Sequence, residues 1–357
     1  MNSPKDVVLD SVHPRKTKNN LFFIKLFYYE YWPVWMVFFP SVFSYIYYAF
    51  KARSLTYFTA TNPGIELGGF YGESKSAILK MIPSEFLPHT LFLEAHSSVN
   101  TILDAMRINN INFPIICKPD KGERGFMVEK ILDVQQLASY LNQYDEKLIV
   151  QEFIEFDTEL GILYFRFPDG QSSGISSIVM KKFLGVTGDG TSTIEQLMMD
   201  SHRATTQLKY FRKKHEALLS EILPKGKYVL LQPIGNHCKG TEFLNGAHLI
   251  NKQLVEVFDA IASCMNGFYY GRFDVKISST GEMYRGEGIR IMEVNGVSSE
   301  PGHIYDHRMN ILKAWSAIIF NNSLFGRIAI QNNRRGVKYL PLMTVIKTVY
   351  RHFQNKS

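Results

Sequence analysis

Apolar residues in this chain recur at two spacings, and the switches between them mark out its elements. Runs such as "FPIICKP", "KLIVQEFI", "TELGILYFRF" and "SGISSIVMKKFLGV" are apolar or alternating, which predicts strands whose successive side chains take opposite faces. "VNTILDAMRINNI", "DVQQLASYLNQY" and "NKQLVEVFDAIASCM" carry their apolar residues at helical spacing instead. Further upstream, "LTYFTA" and "HTLFLE" read as strands, "KSAILKMI" as a short helix between them, and "TNPGIELGGFYGES" as a glycine-rich loop. "FMVEKI" predicts one more strand behind the polar loop "DKGERG". "LKYFRKKHEALLSEIL" predicts one long polar helix, and "STIE" has the form of a capping box opening the helix before it. No internal repeat or long low-complexity linker interrupts this order, and the expected class is α+β. The expected division is a segment 1–54, a shortened α/β region 55–96, one continuous domain over 97–310, and a basic helical tail over 311–357.

Composition narrows the classes. With 45% hydrophobic and 20% charged residues over 357 positions, the chain is globular and not disordered. A formal net charge of +7 suits an anionic partner such as a nucleotide, a phospholipid surface or a nucleic acid. A nucleic acid fits worst, because the bases are scattered and the aromatics form an uncharged block instead of a stacking platform interleaved with Lys and Arg. Cys117, Cys238 and Cys264 lie far apart with no metal-ligand spacing, which points to a reducing compartment and no structural zinc.

The amino end is aromatic. Half of residues 21–50 are Phe, Tyr or Trp, and no charge falls between Tyr31 and Phe50, although Pro33 and Pro40 interrupt the run. Bases flank it on both sides, from Lys5 to Lys18 and at Lys51 and Arg53. Interfacial or re-entrant membrane contact, a helix packed on the domain, and a true span all fit this pattern. A signal peptide does not, since no small-residue cleavage site follows a compact apolar core. The location expected is cytoplasmic, at the inner face of a membrane.

The chemistry concentrates in "YGRFDVKISSTGEMYRGEGIRIMEVNGV", two apolar strands around a glycine-containing turn. Alternation puts Arg272, Asp274 and Lys276 on one face and Phe273 and Val275 on the other. The same rule groups Ile291, Glu293 and Asn295, with Met292 and Val294 opposite. Pairing of the strands would bring Asp274 near Glu293, and two such carboxylates repel unless they share a proton or a cation. An oxygen-only trio of Asp274, Glu293 and Asn295 suits a hard ion such as Mg²⁺, and ordinary salt bridges to Arg272 and Lys276 are the competing account. Upstream, Lys118 ends an apolar strand before "PDKGERG", a loop rich in backbone N–H groups that could fold over phosphates. Glu152, beside Phe153 and Ile154, and Glu159 farther on offer acceptors for an adenine edge and a ribose diol. No Ser-His-Asp or Cys-His arrangement stands out.

Taken in order, "FPIICKPDKGERG", "LIVQEFIEFDTELG", "GRFDVK" and "IMEVNG" resemble the successive motifs of the ATP-grasp superfamily. The branch is that of the carboxylate-amine ligases, D-alanine:D-alanine ligase-like, and "VTGDGTSTIEQL" also resembles a segment of the cyanophycin synthetases. The resemblance covers roughly residues 74 to 305. It implies two α+β subdomains clamping ATP, a carboxylate activated as an acyl phosphate, and attack by an amine with release of ADP and phosphate. It further implies that Lys118 contacts the α- and β-phosphates beneath the loop through Gly122 and Gly125. Glu152 and the backbone by Phe153 and Ile154 would read adenine, and Glu159 would hold the ribose. Asp274, Glu293 and Asn295 would hold two Mg²⁺ (or Mn²⁺), with Arg272 stabilising the transferring phosphoryl group. Lys75 matches an earlier nucleotide-contacting lysine, and Lys181 or Lys182, the latter preferred, would reach the γ-phosphate.

The departures from that family concern the substrate. Only a short stretch separates the aromatic segment from "ESKSAIL", where the dipeptide ligases carry a full domain, and "GVSSEPGHIYDH" replaces their short turn after the asparagine. His237, Lys239, Ser298, Glu300 and His303 are the candidate substrate-facing residues. The competing functions are a small-molecule kinase on the same fold and a non-catalytic nucleotide-binding protein at a membrane.

Overall fold

A computed structural model describes residues 28–122, 125–144, 146–232, 235 and 240–354. Its strands are β1 (Thr90–Leu93), β2 (Ile115–Pro119), β3 (Glu129–Ile131), β4 (Leu148–Glu152), β5 (Thr158–Arg166), β6 (Ser173–Lys182), β7 (Leu184–Thr187), β8 (Tyr228–Gln232), β9 (Glu242–Asn245), β10 (Tyr270–Ile277) and β11 (Ile289–Asn295). They form a four-stranded sheet in the order β1-β4-β2-β3, a five-stranded sheet in the order β11-β10-β5-β6-β9, and the separate pair β7-β8. Every pairing is antiparallel, so with its helices the chain is α+β. Two compact units share it: 32–182 with 242–357, and 1–31 with 183–241. The stretch 97–310 is therefore distributed over both.

In the larger unit the α-helices of five or more residues are α1 (Phe39–Ala52), α2 (Lys75–Leu79), α3 (Val99–Ile108), α4 (Val134–Leu141), α5 (Lys252–Cys264), α6 (Ile311–Arg334) and α7 (Leu342–Gln354). Side chains of Ser98, Asp133 and Asn251 cap α3, α4 and α5, each accepting a hydrogen bond from an otherwise unpaired helical N–H. Such a cap contributes about 1 kcal/mol. Helices α3 and α4 bury Ile102, Met106, Leu137 and Tyr140 against the smaller sheet. Helix α5 buries Leu254, Phe258 and Ile261 against Leu160, Ile162, Phe273 and Val275 of the larger sheet. Burial of each such side chain contributes roughly 2–3 kcal/mol.

A third cluster joins α1, α6 and α7 to the end of β10 through Tyr48, Tyr57, Leu324, Val345 and Tyr270. Helices α1 and α6 approach closely because Gly326 has no side chain: a Cβ there would lie 2.5 Å from the Tyr48 ring. Asn62 is fully buried beside them. Its Nδ2 donates to the carbonyls of Gly68 (2.9 Å) and Tyr270 (2.8 Å), and its Oδ1 accepts from the N–H groups of Tyr269 (2.8 Å) and Tyr270 (2.9 Å). No described helix is long and apolar enough to cross a membrane.

In the smaller unit β7 and β8 carry four short helices around Val186, Ile194, Phe211 and Leu223. Arg203 binds Glu30 at 2.8 Å and the carbonyls of Gly240 and Thr241.

Three local expectations need correction. "LTYFTA" is not a strand: Tyr57–Ala60 is a tight 3-10 turn whose four residues are all buried, Tyr57 stacking on Phe325 and Phe58 meeting Phe70. The long polar helix breaks at His215 (φ −138°), into Leu208–Lys214 and Glu216–Leu219. Arg212, Lys213 and Lys214 end the first piece, where positive charge suits the carboxyl end of a helix. The capping box exists one residue later than expected, between Thr193 and Gln196, because the Ser192 hydroxyl donates to Asp189.

Candidate functional site

One face of the larger sheet is polar where the other is core. Across it lie Glu293 and Asn295 of β11, Arg272 and Asp274 of β10, Gly161 and Glu159 of β5, and Lys181 of β6. Asp274 is register partner to Glu293 and to Gly161, Arg272 to Asn295, and Glu159 to Lys181. Strand alternation therefore delivers these residues to one surface from four neighbouring strands.

Their contacts form one charge network. Arg272 donates to Asp274 Oδ2 from Nε (3.2 Å) and Nη2 (3.0 Å), and Asn295 Nδ2 donates to the same oxygen at 3.2 Å. Lys181 Nζ lies 2.7 Å from Glu159 Oε1 and 2.9 Å from Asp274 Oδ1. Burial alone would raise the Asp274 pKa, but Arg272 and Lys181 outweigh it and hold the carboxyl down at about 2. For Lys181 burial works toward neutrality, and Asp274 and Glu159 reverse it, so the ammonium titrates above the ordinary lysine range.

The smaller sheet and α2 supply two more cations. Lys118 ends β2 and donates to the Met292 carbonyl at 2.7 Å. Lys75 opens α2, donates to the Gly122 carbonyl, and lies 3.8 Å from Glu293. Asp120 fixes this corner, accepting from the Ser74 hydroxyl and from the Ser76 N–H at 2.7 Å. Burial depresses the Lys118 pKa to about 8, with Glu293 opposing the shift and Lys75 reinforcing it.

Met292 owes its role to an irregularity in β11. Asp274 faces Glu293 but Val275 faces Ile291, so Met292 is an extra residue without a partner on β10. Its carbonyl is the one that accepts from Lys118. The bulge also corrects the expected grouping: Ile291 faces the core with Val294 and not the polar face with Glu293.

The remaining candidates divide. Lys276 joins the polar face to the adenine-reading candidates, donating to the Ile154 carbonyl at 2.8 Å with its ammonium 5.2 Å from the Phe153 ring centre. Lys130 covers the same ring at 3.6 Å. Glu152 lies at the end of β4 and accepts from the His89 N–H at 3.3 Å. Lys182 is directed away from the network, pairing with Glu242 at 3.5 Å with 60% of its side chain exposed. His303 is hydrogen-bonded to Ser177 at 2.6 Å, on the face of β6 that carries Lys181, and burial lowers its pKa. Glu300 accepts from the Tyr305 hydroxyl at 3.0 Å, and Ser298 is exposed. Gly125 follows residues 123–124, which lie outside the described residues, as do His237 and Lys239. Lys276 and Ser177 were not singled out as binding residues from the sequence, although Lys276 shares the alternation of Arg272 and Asp274.

Among the described residues no three His, Cys, Asp or Glu side chains group into a metal cluster. A cation here would rely on Asp274, Glu293 and the Asn295 amide oxygen. Two observations fit that use. Asp274 Oδ1 is buried and has no well-aligned hydrogen-bond donor, Lys181 meeting it only as an ion pair. Beside it Gly161 leaves space: a Cβ there would lie 2.8 Å from Val179, 3.2 Å from Arg272 and 3.3 Å from Asp274 Oδ1.

No family model matches the chain, and no curated protein matches it in sequence. Among solved structures it is similar to a bifunctional glutathione synthetase from Pasteurella multocida, at 13% identity and a TM-score of 0.37, covering 68% of this chain and 35% of that one. It is similar also to the VanG D-Ala:D-Ser ligase from Enterococcus faecalis, at 12% identity and a TM-score of 0.40, covering 70% of this chain and 61% of that one. A third is the D-alanine–D-alanine ligase from Bacillus anthracis, at 15% identity and a TM-score of 0.40, covering 73% and 67%. The chain thus spans little more than a third of the synthetase's length.

Proposed function

We propose that this chain is an ATP-dependent ligase of the ATP-grasp type, which activates a carboxylate as an acyl phosphate and joins it to an amine. The observation that carries this reading is the convergence of four cations, Lys75, Lys118, Lys181 and Arg272, on Asp274 and Glu293. Lys118 is hydrogen-bonded to a carbonyl and Lys75 stands 3.8 Å from Glu293, so two of the four bases have no carboxylate at hydrogen-bond distance among the described residues. A polyphosphate supplies the matching negative charge.

In this reading Lys118 and Lys75 hold the α- and β-phosphates, Lys181 meets the γ-phosphate, and Lys276 orients the backbone of Ile154 toward the base. Asp274, Glu293 and Asn295 hold Mg²⁺, which when bound draws charge from the phosphate oxygens. The substrate carboxylate oxygen attacks the γ-phosphorus as the bond to the β-phosphate oxygen breaks, and ADP leaves. The amine nitrogen then attacks the acyl carbon, the bond to the phosphate oxygen breaks, phosphate leaves, and the nitrogen loses one proton. Arg272 stabilises charge in both steps, a task of positioning and neutralisation that requires no nucleophilic side chain.

The test is turnover of the purified chain with ATP and Mg²⁺ against pools of carboxylates and amines. ADP and phosphate should appear only when both substrates are present, and hydroxylamine should trap a hydroxamate. Lys181→Ala should lower turnover by about a hundredfold or more and Lys182→Ala by less than about threefold, as expected for loss of one transition-state contact. AMP and pyrophosphate as products, or equal effects of the two variants, would overturn the assignment.

A further inference from the structure

None of the chain's 33 acidic residues falls in 31–65 or in 307–357, whereas eleven of its 40 lysines and arginines do. These stretches are remote in sequence and adjacent in space. Helix α1 and the turn after it pack on α6 through Tyr48, Tyr57 and Phe325, and Val345 and Val349 of α7 join the same cluster. Folding thus gathers two acid-free segments into one helical layer, and the rest of the chain is left with more acids than bases.

Both α1 and α7 leave apolar residues exposed. On α1, Phe39, Val42, Phe43, Ile46 and Phe50 recur at helical spacing and are 50–86% exposed, while Pro40, Ser44 and Tyr48 are buried behind them. On α7, Met343, Ile346 and Tyr350 are 49–61% exposed, with Lys347 and Arg351 exposed alongside. Between α1 and the residues after it opens a shallow groove of about 360 Å³, lined among others by Ile46, Phe50, Arg53 and Leu55. A helix facing water alone carries polar residues on such a side.

We propose that this layer docks peripherally on an anionic phospholipid surface, with α1 lying in the interface. The aromatic stripe of α1 suits the boundary between headgroups and acyl chains. The flanking bases suit headgroup phosphates, and no acid in the layer opposes them. At 14 residues α1 lies along such a surface instead of crossing it. A second copy docking face to face would bring bases against bases with no acid on either side. A nucleic acid would find no base between Phe39 and Phe50 to hold its phosphates. The inference is independent of the ligase chemistry.

Co-sedimentation of the full chain with phosphatidylglycerol-containing and pure phosphatidylcholine vesicles tests it. Binding should favour the anionic vesicles and weaken in salt. The double variants Phe43→Asp with Ile46→Asp, and Lys347→Glu with Arg351→Glu, should each lose about tenfold or more in affinity. All substituted side chains are exposed, and an unchanged thermal melt by circular dichroism confirms folding. No sedimentation with anionic vesicles would overturn the proposal, as would folded variants that bind as the parent does. A lipid-free dimer dissociated by the aspartates would assign the face to a second copy, and an oligonucleotide that displaces the vesicles would assign it to nucleic acid. Either result also overturns it.

Discussion

Lys118 is an ammonium held where an ammonium is uncomfortable. Its side chain is buried, its one described hydrogen-bond acceptor is a carbonyl, and its pKa falls to about 8 from an ordinary 10.5. The unfolded chain therefore binds a proton that the folded chain has released between about pH 8 and 10.5, so this group makes stability rise with pH through that window. Below it both states are charged and the penalty is constant. Lys118→Met should accordingly stabilise the protein at pH 7 by about 3 kcal/mol, the worth of the pKa shift, with the advantage fading by pH 10.5. Urea midpoints of parent and variant across that range would check it, and a pH-independent difference would contradict it. The same variant should lose nucleotide binding. The choice between Lys181 and Lys182 was not legible at this scale: alternation says that neighbours face oppositely, but β6 carries polar residues on both faces. Only the register with Glu159, a pairing between separate strands, decides that Lys181 faces inward.

Among the elements, β5, β6, β10 and β11 were legible because one face of each belongs to the apolar core that α5 covers, whereas β9, outside that core, was not singled out. The position of Ile291 was not, since a bulge inserts a residue without leaving a compositional trace. The 3-10 turn at Tyr57–Ala60 was hidden for a related reason: every one of its residues is buried, so no period remains to be read. Gly161 lies in mid-strand, where glycine weakens a strand, and is accounted for by what surrounds it. Its backbone accepts any residue, but a Cβ would press on Val179, Arg272 and Asp274. Gly161→Ala should therefore cost about 1–3 kcal/mol through overpacking, despite alanine's lower backbone entropy, and should reduce turnover further than stability explains. Equal urea midpoints and turnover for parent and variant would show that the gap is not needed.

Across the whole molecule, the α+β class was apparent from sequence, but the acid-free layer was not fully so. Its halves lie at opposite ends of the chain, and only folding joins them. Asn62 connects that layer to β10 by spending both amide atoms on four main-chain bonds. Asn62→Ala would leave those groups buried without partners and should cost roughly 3–5 kcal/mol. A urea midpoint shift and faster amide exchange at Tyr270 would register the loss, and exchange confined to residues near 62 would argue against such coupling. A different consequence follows from the strands that bracket the smaller unit. Lys182, the last residue of β6, is the register partner of Glu242, the first of β9. The intervening 183–241 therefore leaves and re-enters the sheet at adjacent points, in the place where a hairpin would otherwise need only a turn. Because loop closure grows slowly with length, an insertion so seated asks little of its host. Shortening or lengthening the segment would leave the pairing of β6 with β9, and with it Lys181 beside Glu159, in register.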